Sequence, residues 1–176
     1  MFSVRPANEA DLQAVTDIYN EAVLTTTATF DVEPKSLADR RAWFAEHGGR
    51  YPLLVAEEDG RVLGWGSLSP YGRRPAYRYS VEDSIYVASA HRGKGVGGAL
   101  LSALVARARD LGFHAVMGRV VTGNDVSIRL HEKHGFQLVG REREVGWKFG
   151  CWLDLVVMEL VLGQAPPWDQ GSGETR

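Results

Sequence analysis

The spacing of hydrophobic residues changes several times along the chain, and each change marks a different structural element. After Asn8, and again from Leu100 onward, apolar residues recur every three or four positions, the spacing of a helix that buries one face. Ser36 and Asn124 are residue types that cap helix N-termini, and each precedes a further helical stretch. Gly112 is placed to end the helix that contains Leu100, so the pattern predicts four helices.

Seven further segments are predicted as strands, because they are apolar, β-branched or alternating and are bounded by turn residues. Asp59-Gly60 joins the second and third of them as a tight hairpin. In chain order the strands are Phe2–Arg5, Leu53–Glu57, Arg61–Ser67, Tyr79–Val87, Ala115–Val121, Phe136–Glu144 and Trp152–Leu160. With the helices in their places, this order predicts a mixed α/β domain with one central sheet.

Length and composition narrow the class of protein. The chain has 176 residues, of which 44% are hydrophobic and 24% charged, as in one globular domain of ordinary size. A formal net charge of −2 argues against nucleic-acid binding, and no apolar run reaches the length of about 18 residues that spans a membrane. Cys151 is the sole cysteine, which excludes an intrachain disulfide and favours a cytoplasmic location. Residues 1–162 are expected to form the domain, and residues 163–176 a loose tail.

A glycine-rich turn, Arg92-Gly93-Lys94-Gly95-Val96-Gly97, lies between a predicted strand and a predicted helix. Glycines let a ligand approach the backbone, and the following helix N-terminus presents free N–H groups, so the expected ligand is a phosphate. A Walker-type loop is excluded because Gly95, rather than Ser or Thr, follows Lys94. A dinucleotide fold is excluded because the turn comes mid-chain and the next strand ends without an acid. A tight connection that binds nothing is the alternative.

The turn resembles the pyrophosphate loop of the GNAT N-acetyltransferases, which has the form Arg/Gln-x-x-Gly-x-Gly/Ala. The resemblance continues in Ser84-Ile85-Tyr86-Val87 before the turn, and in Asn124, Ser127 and Glu132-Lys133-His134-Gly135-Phe136 after it. Other segments look like the phosphinothricin and methionine sulfone/sulfoximine acetyltransferase branch of that family. They are Ile18-Tyr19-Asn20-Glu21-Ala22-Val23, Tyr51-Pro52, residues 80–87 and Lys148-Phe149-Gly150-Cys151-Trp152-Leu153-Asp154.

This resemblance implies a fold, a cosubstrate and partners. The fold is a single GNAT-type domain with a mixed sheet of about seven strands and about four flanking helices. The cosubstrate is acetyl-CoA, no metal is required, and a homodimer acts on a small amino-acid-like acceptor. The residues implied in CoA binding are Ile85, Tyr86, Val87, Arg92, Gly93, Lys94, Gly95, Val96, Gly97, Asn124 and Ser127.

Glu82 and His131 are the expected proton-transfer groups. An α-ammonium is mostly protonated at neutral pH, so a base must free the amine before it attacks the thioester. Glu82 matches the acidic position of the branch. His131 stands where many family members carry tyrosine, and it could protonate the departing thiolate. A purely structural side chain is the alternative for each.

Strand alternation raises a difficulty at Asp83. Ideal pleating places Glu82 on one face, and Asp83 on the other face together with Ile85 and Val87, so a charge shares a face with core residues. Either Asp83 is paired, or a bulge re-aims the side chains. The resemblance favours a bulge near Asp83 at which the strands splay. Such a bulge would free backbone groups for the pantetheine arm of CoA, and an N–H for the oxyanion.

The acceptor's carboxylate is expected to be held by Arg74 or Arg78, because a guanidinium binds a carboxylate through two parallel hydrogen bonds. Phe30 and Tyr77 could wall the acceptor's side chain. Two other functions remain open at this point. One is a GNAT enzyme that acetylates a polyamine, an aminoglycoside or a peptide N-terminus, and the other is a non-catalytic acyl-CoA-binding module.

Overall fold

The predicted order of helices and strands is present in the structure, a computed structural model that describes residues 1–163. The strands are β1 (Ser3–Pro6), β2 (Leu53–Glu58), β3 (Arg61–Pro70), β4 (Ser80–Val87), β5 (Ala115–Val121), β6 (Gln137–Lys148) and β7 (Cys151–Val161). The α-helices are α1 (Leu12–Thr25), α2 (Leu37–Ala45), α3 (Val96–Asp110) and α4 (Asp125–Lys133). Apart from Gly163, the tail expected from the sequence lies outside the described residues.

One mixed sheet holds the strands of residues 1–163 in the order β1-β2-β3-β4-β5-β7-β6. Every neighbouring pair in this sheet is antiparallel except β4 and β5, which are parallel. The parallel pairing is short and joins Ser80–Glu82 to Ala115–Met117. Beyond it, β4 remains paired with β3 while β5 remains paired with β7. The two central strands therefore separate and leave a split in the sheet.

The expected splay at Asp83 is confirmed, but the expected bulge is wrong. β4 keeps a single register with β3 along their whole pairing, and the splay arises because pairing with β5 stops after Glu82. Side chains on β4 therefore alternate as in an ideal strand. The buried Asp83 is accommodated by pairing instead, with 3.2 Å between its Oδ2 and the Nε2 of His131.

The sixth strand is longer than its sequence pattern indicates. β6 continues past Glu144 to Lys148, because a register shift between Glu142 and Gly146 lets the strand absorb extra residues opposite β7. At the shift, Glu144 has a φ of 53° and its N–H donates to Asp154 Oδ1 at 2.7 Å. The predicted end at residue 144 is therefore wrong, since a bulge interrupts the alternation without ending the strand.

Helices cover both faces of the sheet around the split. α3 packs on one face, where Leu100 and Leu104 belong to a buried apolar core that Ile85 of β4 also contacts. α1 packs on the other face, where Trp65 belongs to a second core that Tyr86 of β4 contacts. α4 lies against β5 and α3. The alternating side chains of β4 thus connect the two cores at the point where the sheet opens.

Candidate active site

A cavity of about 240 Å³ opens where β4 and β5 separate. Its wall is formed by β4, β5, α4 and the loop between α1 and α2. The site residues predicted from the sequence that line it are Phe30, Glu82, Ile85, Tyr86, Asn124, Ser127 and His131. Thr29, Asp83 and Arg119 also line it and were not predicted as site residues. The structure therefore brings the expected base, the expected acid and several expected CoA contacts to one place.

Glu82 lies at the last parallel pair of β4 with β5, where the split begins. Its Oε2 is 3.4 Å from Nη1 of Arg119 on the neighbouring strand, and both side chains are partly exposed. Burial raises the pKa of Glu82, the guanidinium of Arg119 opposes that rise, and the carboxylates of Asp83 and Glu142 add to it. The net upward shift of this pKa makes Glu82 a better proton acceptor than an ordinary surface carboxylate.

His131 is buried on α4, beneath the split. Its Nδ1 donates to the Ser127 carbonyl at 2.7 Å, and its Nε2 is 3.2 Å from Asp83 Oδ2. Burial lowers the pKa of His131, but the hydrogen bond and charge of Asp83, helped by the Ser127 carbonyl, outweigh burial and raise the pKa. The ring of Phe136 packs edge-on against the imidazole, with 4.9 Å between centroids. The imidazole is thus held by hydrogen-bond partners at both nitrogens and by the ring of Phe136.

The glycine turn leads into α3 and leaves its own backbone open. Gly95 has a φ of 86°, and beyond its chain neighbours no atom of the described residues lies within 4 Å of the place where its Cβ would be. The side chain of Arg92 folds back, and its Nε donates to the Val87 carbonyl at 3.1 Å. Nζ of Lys94 likewise donates to the Ala90 carbonyl at 2.9 Å. The backbone N–H groups at the start of α3 are therefore the groups that could hold a pyrophosphate.

The loop between α1 and α2 closes one side of the cavity and is fastened to β6. Phe30 packs so closely on Gly146 that a Cβ at position 146 would lie 2.4 Å from the Phe30 ring. Lys148 is buried, and its Nζ donates to the Thr29 carbonyl at 2.8 Å. Burial lowers the pKa of Lys148, while the charge of Asp31 opposes that effect. The spacing of residues gave no signal for this contact, which joins positions 119 apart.

Arg74, Tyr77 and Arg78 do not line the cavity, although they were expected to bind the acceptor. They lie on an exposed turn before β4. Tyr77 packs on Tyr71 with 5.3 Å between ring centroids, and the guanidinium of Arg119 lies 5.6 Å from the Tyr71 ring. The turn therefore borders the cavity wall, because the ring of Tyr71 lies between Tyr77 of the turn and Arg119 of the wall. Arg119 was not predicted as a site residue. The sequence did carry one sign of it, since Arg119 is a charged residue within the otherwise apolar strand β5.

Within residues 1–163, no group of three or more histidine, cysteine, aspartate or glutamate side chains is placed to hold a metal ion. No helix in the same range is both long and apolar enough to cross a membrane. Cys151 is exposed and carries a free thiol.

The segment that contains the split, the glycine turn and α4 matches a known family. Residues 14–136 match the model of the Acetyltransferase (GNAT) family. The chain belongs to this family. Among its relatives is the L-methionine sulfoximine/L-methionine sulfone acetyltransferase of Pseudomonas aeruginosa, which is 44% identical over 162 residues. That alignment covers 91% of this chain and 94% of the relative.

Solved GNAT structures have the same fold. The structure of yncA from Salmonella typhimurium with its cofactor acetyl-CoA has a TM-score of 0.89 and 42% identity, covering 94% of this chain and 97% of that one. The GNAT phosphinothricin acetyltransferase from Sinorhizobium meliloti in complex with acetyl-CoA has a TM-score of 0.89 and 41% identity, covering 92% and 89%. The expected family, fold, enzyme class and cosubstrate are confirmed: the chain is an acetyl-CoA-dependent N-acetyltransferase.

Proposed function

We propose that this GNAT enzyme transfers the acetyl group of acetyl-CoA to the α-amino group of a small L-amino-acid analogue. Methionine sulfone, methionine sulfoximine and phosphinothricin are the acceptors we infer. The observation that carries the proposal is the cavity at the split, where a carboxylate of raised pKa and a carboxylate-paired histidine line the same space. The relatives from Pseudomonas aeruginosa and Sinorhizobium meliloti, named for such acceptors, support the substrate class.

Two backbone features position the cosubstrate, which supplies an acetyl group activated as a thioester. The N–H groups of the turn at residues 92–97, at the start of α3, hold its pyrophosphate. Within residues 1–163, the edge of β4 at Ile85–Val87 pairs with no strand on the β5 side, so its backbone can bond the pantetheine amides as a further strand would. Asn124, which caps α4, and Ser127 of α4 line the same cavity as Ile85 and Tyr86.

Glu82 acts as the general base in this proposal. The acceptor enters as an ammonium ion, and Glu82 takes one proton from it, directly or through water, so that the nitrogen lone pair can attack the carbonyl carbon. The raised pKa of Glu82 improves the match between base and ammonium, while Arg119 limits that rise. When the tetrahedral intermediate collapses, the sulfur leaves as a thiolate and His131 supplies the proton that it needs.

Cationic side chains bind the acceptor's carboxylate. Arg119 lies in the cavity wall, and Arg74 and Arg78 lie on the turn that borders it. A positive rim attracts the acceptor's carboxylate and repels a polyamine or an aminoglycoside, which has no carboxylate. Phe30 contacts the acceptor's side chain within the cavity, and Tyr77 does so from the turn.

Thiol release from acetyl-CoA with a panel of amines tests the proposal. We expect turnover with methionine sulfone, methionine sulfoximine and phosphinothricin, and much slower turnover with the α-carboxamides of the same compounds. Spermidine and kanamycin should release no thiol above background. Turnover with those cations but with no amino acid would reject the acceptor class. Acetyl-CoA binding without thiol release for any amine would favour the non-catalytic module.

We also propose that the enzyme is a cytoplasmic homodimer. The resemblance to the phosphinothricin-type branch implies the dimer. Trp147, Phe149 and Trp152 at the tip of the β6–β7 hairpin are more than half exposed, and a second copy could cover this apolar surface. A single cysteine agrees with a reducing compartment. Sedimentation should give twice the chain mass of 19.4 kDa, and Trp152→Glu should shift it toward the monomer.

A further inference from the structure

His131 of α4 and His134, the C-cap residue of this helix, make the same first contact and a different second one. Nδ1 of His131 donates to the Ser127 carbonyl at 2.7 Å, and Nδ1 of His134 donates to the Leu130 carbonyl at 2.8 Å. A carbonyl oxygen can only accept, so Nδ1 carries the hydrogen in both rings. Nε2 of His134 meets the Ser102 hydroxyl at 3.0 Å near the surface, whereas Nε2 of His131 meets a buried carboxylate.

That second contact requires a proton between His131 and Asp83. If the imidazole were neutral and the carboxylate ionised, two lone pairs would face each other at 3.2 Å in a buried place. One proton between Nε2 and Oδ2 removes this conflict, either as imidazolium with carboxylate or as imidazole with carboxylic acid. The raised pKa of His131 agrees with that requirement. The Ser102 hydroxyl can donate, so His134 has no such requirement.

The pair lies where the sheet opens, and Gly118 of β5 makes room for it. A Cβ at position 118 would come 2.9 Å from His131 Cδ2 and 3.3 Å from Asp83 Oδ1. Oδ1 is buried and has no hydrogen-bond partner among residues 1–163, although the residue lines the cavity. The carboxylate thus has one oxygen on His131 and one that remains unused.

Among the groups around His131, Asp83 supplies the charge that favours a protonated imidazole. β4 contributes Asp83 and, on the opposite face, Glu82, which pairs with Arg119 of β5. Gly118 of β5 presents no side chain, and Phe136 contributes only the edge of its ring. The proton on the imidazole therefore depends on Asp83.

We propose that Asp83 is the positioning residue that keeps a transferable proton on His131, and that the CoA sulfur takes this proton when its bond to carbon breaks. The inference rests on the proposed function. The amine nitrogen bonds to the carbonyl carbon, the electron pair of the C–S bond moves to sulfur, and the proton passes from the pair to sulfur. Glu82 has by then taken the first proton of the ammonium, so the second proton, which the nitrogen loses after its attack, goes to water. The pair is then protonated again from solvent. Amide and free thiol are the products.

Asp83→Asn tests this role with little change of shape. The amide of Asn can donate to Nε2 of a neutral His131, so the contact survives without the stored proton. We expect kcat to fall about 10²-fold, at the low end for proton transfer, while KM for acetyl-CoA stays unchanged. The falling limb of the kcat–pH profile should move to lower pH, because His131 loses the carboxylate that raises its pKa.

Ring ¹⁵N resonances give a readout that needs no substrate. At neutral pH, His131 of the wild type should carry hydrogen on both nitrogens, and in Asp83→Asn only on Nδ1, while His134 is the internal control. Ser102→Ala is the matched control, since it removes the second partner of His134 and should leave kcat and the His131 resonances unchanged.

The possible results separate the two proposals. A wild-type His131 that is neutral at neutral pH, with Nε2 bare, would overturn the inference even if Asp83→Asn failed to fold. Wild-type kcat in Asp83→Asn would also overturn it. Failure of the acceptor assignment has a different signature, since turnover would then be absent in the wild type and in Ser102→Ala alike.

Discussion

Gly146→Ala places a methyl group where the Phe30 ring lies. The added Cβ would come 2.4, 2.6 and 2.8 Å from three ring atoms, against about 3.5–4.0 Å for carbon atoms in favourable contact. The ring must therefore move by about 1 Å or more, and overpacking of this kind costs about 1–3 kcal/mol. Phe30 is only partly buried and lies on a loop, so we expect a cost near the lower end of that range.

Displacement of the ring should weaken acceptor binding without touching the cosubstrate. If about 1 kcal/mol of the change falls on acceptor contacts, KM for methionine sulfone rises roughly fivefold, since about 1.4 kcal/mol corresponds to tenfold. KM for acetyl-CoA should not change, because the glycine turn is not involved. The free energy of unfolding, measured in urea, should fall by about 1 kcal/mol.

Gly140→Ala is the matched control on the same strand. No atom lies within 4 Å of the Cβ that it would add, so its effect on stability should stay within about 0.5 kcal/mol and both KM values should hold. Adding Phe30→Leu to Gly146→Ala should recover part of the lost stability. If Gly146→Ala behaved like Gly140→Ala in both assays, the packing of Phe30 on β6 would not be what shapes the acceptor site.

Four further changes test the remaining site residues. Gly95→Asp should abolish acetyl-CoA binding in calorimetry, because it puts a negative charge and a strained backbone at the start of α3, and unchanged affinity would reject the turn as the phosphate site. Glu82→Gln should lower kcat about 10²–10⁴-fold with acetyl-CoA affinity retained, and near-normal kcat would remove Glu82 as the base. Arg119→Gln should move the rising limb of the kcat/KM–pH profile to higher pH, since Arg119 holds down the pKa of Glu82, and an opposite shift would contradict this. Arg74→Ala should raise KM for the acceptor roughly 10–150-fold, because the loss of a charge-assisted pair costs about 1.5–3 kcal/mol. In this variant, amidation of the acceptor's carboxylate should raise KM little further, because its partner is already gone. An equal rise in KM on amidation in the wild type and the variant would show that Arg74 does not bind the acceptor's carboxylate.

The parts of the fold that follow from local physics could be predicted from the sequence. Caps at Asn8 and Ser36, helical periodicity and the glycine turn each depend on residues a few positions apart, and the structure has all of them. The pairing of Asp83 with His131 joins positions 48 apart, so no local pattern reveals it. Alternation did identify a buried charge that needed an explanation, but it could not choose between a partner and a bulge.

The acceptor side was harder to predict for a related reason. Arg74 and Arg78 were expected to hold the acceptor's carboxylate, yet they lie on an exposed turn, whereas Arg119 lines the cavity. Arg119 meets Glu82 because β5 lies beside β4 in the sheet, although α3 separates the two strands in the sequence. Residues that meet through sheet topology do not have to be close in sequence.

Glu82 and Asp83 are adjacent on β4 but have different surroundings, because side chains alternate along the strand and its pairing with β5 stops after Glu82. Glu82 points to one face, where it keeps some solvent and a guanidinium, so its charged form remains accessible although burial raises its pKa. Asp83 points to the other face, where it is buried against an imidazole and the pair must hold a proton. A carboxylate whose charged form stays accessible, close to a buried pair that holds a proton, is suited to act as base while the pair supplies an acid in the same reaction. If Glu82 is the base and His131 the acid, the enzyme should lose activity below the pKa of Glu82, when the base is protonated, and above the pKa of His131, when the acid has lost its proton. We expect a bell-shaped kcat–pH profile in the wild type. Arg119→Gln should move only its acidic limb and Asp83→Asn only its basic limb, which would assign the acidic limb to Glu82 and the basic limb to His131.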